Sequence, residues 1–276
     1  MVYRIISILA VILFLSSCSK EKIIYEPTKE LDPFEIYGEA YDAFEKNDFF
    51  YASKKFSEAE LNFNQPILAA KSAIMSSFSL YSINFYDEAE ESLDRFLTNY
   101  PADKNVIYAH YLSAIIYFEQ IEDEKHDLEP LLKTQKKINF FLNKYPNSDY
   151  AIDLKFKRDL VINQFAAKEL YVAKYYIQVQ KWIPAINRLK LILEKYEKTI
   201  FVEEALHRLV EIHYHIGLEE DAKKYASILG YNYNSSEWFK QSYKILNKNY
   251  KIPKLPNSKK DKNLLKKIIN RIKIKR

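Results

Sequence analysis

Six side chains carry most of this sequence's potential for metal binding or nucleophilic chemistry: Cys18 and the five histidines His110, His126, His207, His213 and His215. The histidines do not assemble into a motif. His213 and His215 lie two apart on an expected helix, so they point about 200° apart and cannot share one metal. His126 sits in a run of charge, Glu122-Asp123-Glu124-Lys125-His126-Asp127, that reads as a solvated surface. No Gly-x-Ser-x-Gly and no His-Glu-x-x-His occurs. The carboxylate pairs Glu203-Glu204 and Glu219-Glu220 fall at expected helix starts, where negative charge complements the helix dipole. Only three glycines are present, Gly38, Gly217 and Gly230, and no Gly-x-Gly, which excludes a dinucleotide-binding fingerprint and a Walker loop. The residues therefore point to no enzyme, no metal and no cofactor.

Cys18 has a different setting. Tyr3-Arg4 supplies a short positive head, Ile5 to Leu15 is mostly apolar, and Ser16-Ser17 precedes the cysteine. The apolar run is too short for a permanent span and has the layout of a secretory signal. Leu15-Ser16-Ser17-Cys18 resembles the lipobox of bacterial lipoproteins. That resemblance implies removal of residues 1–17 and acylation of Cys18, which would anchor the chain in membrane lipid. Ser19, where an Asp would suggest retention in the inner membrane, favours the outer membrane. With one cysteine, no internal disulfide can form.

Charge is divided along the chain. Residues 251–276 hold eleven Lys and Arg against one acid, Asp261, whereas residues 18–250 hold thirty basic and thirty-six acidic groups. An acidic body with a basic tail results. An anionic membrane surface suits that tail better than nucleic acid, which an exported lipoprotein rarely meets. Asn263 to Ile274 has the spacing of a short amphipathic helix, with disorder as the alternative.

Between these ends the sequence reads as helices in pairs. Residues 18–31 contain Pro27 and lack helical period, so they read as a tether. Asp32-Pro33-Phe34-Glu35 is a helix start: Asp32 caps, and Pro33 fits the first turn because it lacks an N–H. Ile36, Ala40, Ala43 and Phe44 share one face. Asn47-Asp48 ends this helix, and Phe49 begins another with Ala52, Phe56 and Ala59 in phase. The unit recurs with Ala89, Leu93 and Phe96, with Ala185, Leu189 and Ile192, and with Ala222, Ala226 and Leu229. Ala52 and Ala89 lie 37 apart, as do Ala185 and Ala222. A stretched third unit carries the charged insertion, with Pro130 opening its second helix. Residues 149–176, free of Gly and Pro, predict one long helix. Ser235-Ser236-Glu237 predicts a capped terminal helix running to about Leu246.

The small residue at a helix crossing, followed by larger apolar residues four and seven positions on, resembles the tetratricopeptide repeat. The expected fold is all-α, a tetratricopeptide-like helical-hairpin solenoid of about five repeats over residues 32–250. Lipobox and repeats together resemble the BamD family of outer-membrane assembly lipoproteins over residues 15–246. The residues that carry the likeness are Glu35-Ile36-Tyr37 through Ala59, Lys144-Tyr145-Pro146-Asn147-Ser148-Asp149-Tyr150, Ala173-Lys174-Tyr175-Tyr176, Ala185-Ile186-Asn187-Arg188-Leu189 and Ala222-Lys223-Lys224-Tyr225-Ala226.

The resemblance implies a non-catalytic scaffold. Its C-terminal repeats would hold BamA, the barrel-forming subunit, and its N-terminal repeats would hold unfolded outer-membrane proteins, with other assembly lipoproteins as further partners. Stacked hairpins present a continuous face that suits an extended peptide. Tyr37, Tyr41, Ile74, Phe78 and Tyr81 are the candidates for that face, and Arg188 is the candidate for pairing with a partner's carboxylate. A different repeat lipoprotein, such as a pilotin for pilus assembly or an activator of a peptidoglycan enzyme, is the alternative that the residues leave open.

Overall fold

The structure, a computed structural model, describes residues 32–247. The lipobox and Cys18, the tether and the basic tail lie outside the described residues. Among the described residues eleven α-helices follow one another: α1 Pro33–Glu45, α2 Phe49–Asn62, α3 Pro66–Ser82, α4 Tyr86–Asn99, α5 Val106–Glu119, α6 Glu129–Lys144, α7 Tyr150–Gln178, α8 Trp182–Lys195, α9 Val202–His215, α10 Glu219–Asn232 and α11 Glu237–Leu246. Ten of them form five hairpins, and α11 packs on α9 and α10 at the end of the stack. No strand occurs among the described residues. This is the all-α hairpin stack that the spacing predicts.

The helix ends follow from local chemistry. Asp32 Oδ1 accepts from the Phe34 N–H (3.2 Å), and Asp48 Oδ1 accepts from the Tyr51 N–H (3.2 Å). Ser236 Oγ accepts from the Phe239 N–H (3.1 Å). Each side chain satisfies a donor that the helix geometry leaves free. Pro33, Pro66 and Pro130 all stand in a first turn.

Four of the five hairpins close with the same three-residue turn. Its middle residue is left-handed: Asn47 (φ 61°), Asn84 (61°), Gln180 (56°) and Gly217 (82°). In each, the next residue donates its N–H five residues back: Asp48 to Ala43 O, Phe85 to Leu80 O, Lys181 to Tyr176 O and Leu218 to His213 O, at 2.8–3.0 Å. The left-handed residue donates three back, as in Asn47 to Phe44 O at 3.0 Å. This Schellman pattern uses up carbonyls at the helix C-terminus and turns the chain sharply enough for the next helix to start at once.

Within the hairpins, Ala52, Ala89, Ala185 and Ala222 have no exposed surface, and the Phe56, Phe96, Leu189 and Val210 side chains share their respective clusters. The third hairpin differs. Its helices are joined by residues 120–128, which hold the charged insertion. Asp123 Oδ1 accepts from the Lys125 N–H (2.8 Å) and contacts His126 Nδ1 (2.7 Å). Lys168 Nζ reaches from α7 to His126 O (2.9 Å), so the insertion lies against the long helix.

At the far end, His207 is buried, meets Ser242 Oγ through Nδ1 (2.9 Å) and stacks near Trp238 (5.1 Å). Phe239 lies so close to Gly230 that a Cβ there would sit 2.7 Å from the ring. Helix α11 thus covers the open side of the last hairpin, as a stack requires.

Two glycines make opposite predictions. Gly217 is left-handed, whereas Gly38 is inside α1 with open space around it. Gly217→Ala should destabilise by roughly 1 kcal/mol, from the cost of a Cβ in the left-handed region. Gly38→Ala should stabilise by about 0.5–1 kcal/mol, because alanine loses less entropy in a helix. Urea denaturation reads both, and a shared sign would contradict the turn geometry.

Candidate binding faces

The first helices of the first four hairpins, α1, α3, α5 and α7, contribute to one aromatic row. Phe44 on α1 meets Phe78 on α3 (5.9 Å), and Phe78 meets Tyr81 (6.0 Å). Tyr81 packs against the core of both the second and the third hairpin. On α5, Tyr108 and Tyr111 converge on Tyr150 at the start of α7, at 5.8 and 4.6 Å. Tyr111 also donates to Asp153 Oδ2 (3.0 Å).

The five candidates from the sequence fall at different depths. Tyr41 is 46% exposed, and its hydrogen bond to Glu45 raises its phenol pKa. Tyr37 is half-buried against Phe56 (5.3 Å) and carries Lys71 Nζ over its ring (5.1 Å). Phe78 and Tyr81 are half-buried. Ile74 is 6% exposed and packs with Leu93, Phe96 and Leu112, so its side chain supports the face from beneath. Tyr108, Tyr111 and Tyr150 extend the row beyond the sequence-based set. Their signal was the i, i+3 pair of tyrosines on the third unit's first helix.

Two sunken carboxylates hold neighbouring hairpins together. Glu60 on α2 accepts from Arg95 Nη2 (3.1 Å) and from the Tyr100 hydroxyl (3.2 Å). Glu90 on α4 accepts from Ser113 Oγ on α5 (2.8 Å) and from Lys137 Nζ on α6. A buried carboxylate needs such partners, and they fix the register of one hairpin on the next.

Arg188 lies on α8 and is 44% exposed at its side chain. It forks onto Glu169 of α7: Nη1 to Oε1 at 3.2 Å and to Oε2 at 2.9 Å. Glu169 is the more buried partner. The pair holds the guanidinium at the surface of the fourth hairpin with donors left over, since the fork has five. Nearby, Glu204 on α9 takes Lys174 Nζ (2.8 Å) and Arg208 Nη2 (3.1 Å). The fourth and fifth hairpins therefore carry a band of paired charge around Glu169 and Glu204.

Among the described residues, no group of His, Cys, Asp and Glu could hold a metal ion, and no helix is long and apolar enough to cross a membrane. His213 Nδ1 meets Leu209 O (2.7 Å) inside the core, while His215 lies on Trp182 (4.9 Å). The two are separated as the sequence predicts.

Residues 29–229 match the model of a family described as YfiO: Outer membrane lipoprotein. The chain belongs to the YfiO family of outer membrane lipoproteins. Within it, outer membrane protein assembly factor BamD of Rickettsia prowazekii (strain Madrid E) is 33% identical over 215 residues, 78% of this chain and 85% of the relative. The protein of the same name from Caulobacter vibrioides is 34% identical over 231 residues, 83% of this chain and 74% of the relative. A tetratricopeptide repeat protein from Parabacteroides merdae has a crystal structure that covers 78% of this chain and 73% of its own, at 17% identity and a TM-score of 0.38.

The aromatic row has a titration consequence. Burial raises the phenol pKa of Tyr108, and the neighbouring Tyr150 and Tyr81 add to it; burial and Asp153 raise that of Tyr111. Both folded values lie above the unfolded value of about 10. Their contribution to stability is present below about pH 10 and is lost as pH rises through the folded values. The urea midpoint should fall between pH 9 and pH 11, and Tyr108→Phe should lessen that fall. An equal fall in the variant would contradict the burial of this phenol.

Proposed function

We propose that the chain is a non-catalytic scaffold for assembling outer-membrane β-barrel proteins, anchored by acylated Cys18 at the periplasmic face of the outer membrane. In this reading residues 1–17 are a cleaved signal, 18–31 the tether, 32–250 the repeat body and 251–276 a basic tail. The body holds the barrel-forming BamA-like subunit through its C-terminal hairpins and unfolded outer-membrane polypeptides through its N-terminal ones. The observation that carries the reading is the similarity to two assembly factors over about four-fifths of the chain. The distribution of side chains supports the division of labour. An open row of rings at Tyr37, Tyr41, Phe78 and Tyr81, supported by Ile74, suits an extended chain with alternating apolar residues. A guanidinium already oriented by Glu169 suits a carboxylate on a folded partner domain.

The Arg188–Glu169 pair decides how the partner contact must be tested. Arg188→Glu alone sets two carboxylates against each other and disturbs the hairpin as well as the interface. Adding Glu169→Arg restores the internal pair with reversed polarity. Binding to the barrel-forming subunit should weaken about tenfold or more in both variants, while thermal stability returns in the double variant. Recovery of binding together with stability would reduce Arg188 to a structural role.

A further inference from the structure

The first turn of α3 and the segment after α4 enclose an open groove of about 620 Å³. Pro66, Ile67 and Ala70 form one wall, and Tyr100, Pro101 and Lys104 form the other. Ile67 is 76% exposed, so an isoleucine at a helix start presents its side chain to the groove without cover. Neither Arg188 nor the rings of the aromatic row line this groove.

We propose that the occupant is the chain's own Ile23-Ile24-Tyr25-Glu26-Pro27. The chain enters the described body at α1. Asp32 caps that helix, and α1 lies directly against α3: Lys71 Nζ is 5.1 Å from the Tyr37 ring, and Phe44 is 5.9 Å from Phe78. Tyr37 and Lys71 both stand four or five residues into their helices. The helix starts at Pro33 and Pro66 therefore stand level with each other on the same edge of the stack. Tyr25 precedes Asp32 by seven residues, a reach of up to about 24 Å. The groove is within that reach.

Composition then selects the segment. Between Cys18 and Leu31, residues 23–25 are the one run of adjacent large apolar side chains. Glu26 beside them matches Lys104 on the groove wall in charge. A ligand held by so short a linker faces the groove at about millimolar effective concentration. A free peptide of the same sequence would compete poorly with it.

The consequence for anchoring rests on the proposed acylation of Cys18, although the seat itself does not. With Asp32 as the first fixed residue, fourteen residues separate anchor from body and span up to about 50 Å. With Ile23 seated, five residues remain, about 17 Å. The edge that carries the starts of α1 and α3 would then be held close to the lipid surface, and the stack would keep one orientation on it.

Disulfide trapping in the full chain tests the seat. One variant carries Tyr25→Cys with Lys104→Cys. A second carries Tyr25→Cys with Leu61→Cys, placed in the last turn of α2, 85% exposed and on the same edge. Peptide mapping separates these links from any made through Cys18. The 25–104 link should form at least tenfold faster than the 25–61 link, and Ile67→Glu should abolish the difference. Equal rates with Ile67 intact would overturn the proposal, as would an advantage that survives Ile67→Glu, because nearness alone explains either. A 25–104 link found only between two chains would overturn it in favour of a second copy in the groove.

Discussion

Close approach at four alanines governs this molecule. Ala52, Ala89, Ala185 and Ala222 are fully enclosed, each near the start of the second helix of its hairpin. A larger side chain at any of them would force the two helices apart and shift everything stacked beyond, since packed interiors absorb extra volume at a cost of about 1–3 kcal/mol. The turns obey the same constraint. Only a tight reversal brings the helices together so soon, and the left-handed residue at 47, 84, 180 and 217 supplies it. Alanine and turn recur with the same 37-residue interval in the first pair of hairpins and in the last.

Helix α7 joins these two halves. Its first part, with Leu154, Val161 and Phe165, belongs to the third hairpin's core, while Ala166, Leu170 and Ala173 belong to the core of the fourth and fifth. One unbroken helix of 29 residues thus passes from one core to the next without a loop.

The repeats were legible because their signals are local. Caps, prolines in first turns, and the 37-residue alanine spacing all lie within a few residues of what they determine. The third unit's extra length was equally plain from its charged insertion. The contacts that tie hairpins together were not legible. Glu60 with Arg95, and Glu90 with Lys137, join residues 35 and 47 apart with no period linking them. Glu169 with Arg188 spans a hairpin in the same way. Gln180 occupies a left-handed position that glycine would mark, so its turn had no residue signature. Ile74 illustrates the remaining ambiguity. An apolar residue on the first helix of a hairpin suits the open face and the core equally, and only the position of Leu93 and Leu112 assigns it to the core.

As proposed above, this stack works as a scaffold on a barrel-forming partner. Affinity purification of the full chain from detergent-solubilised envelopes addresses it directly, with mass spectrometry of what is retained. A scaffold of this kind should retain a large β-barrel protein bearing repeated periplasmic domains, in stoichiometric amount. Recovery of a peptidoglycan synthase or a pilus secretin in its place would contradict it.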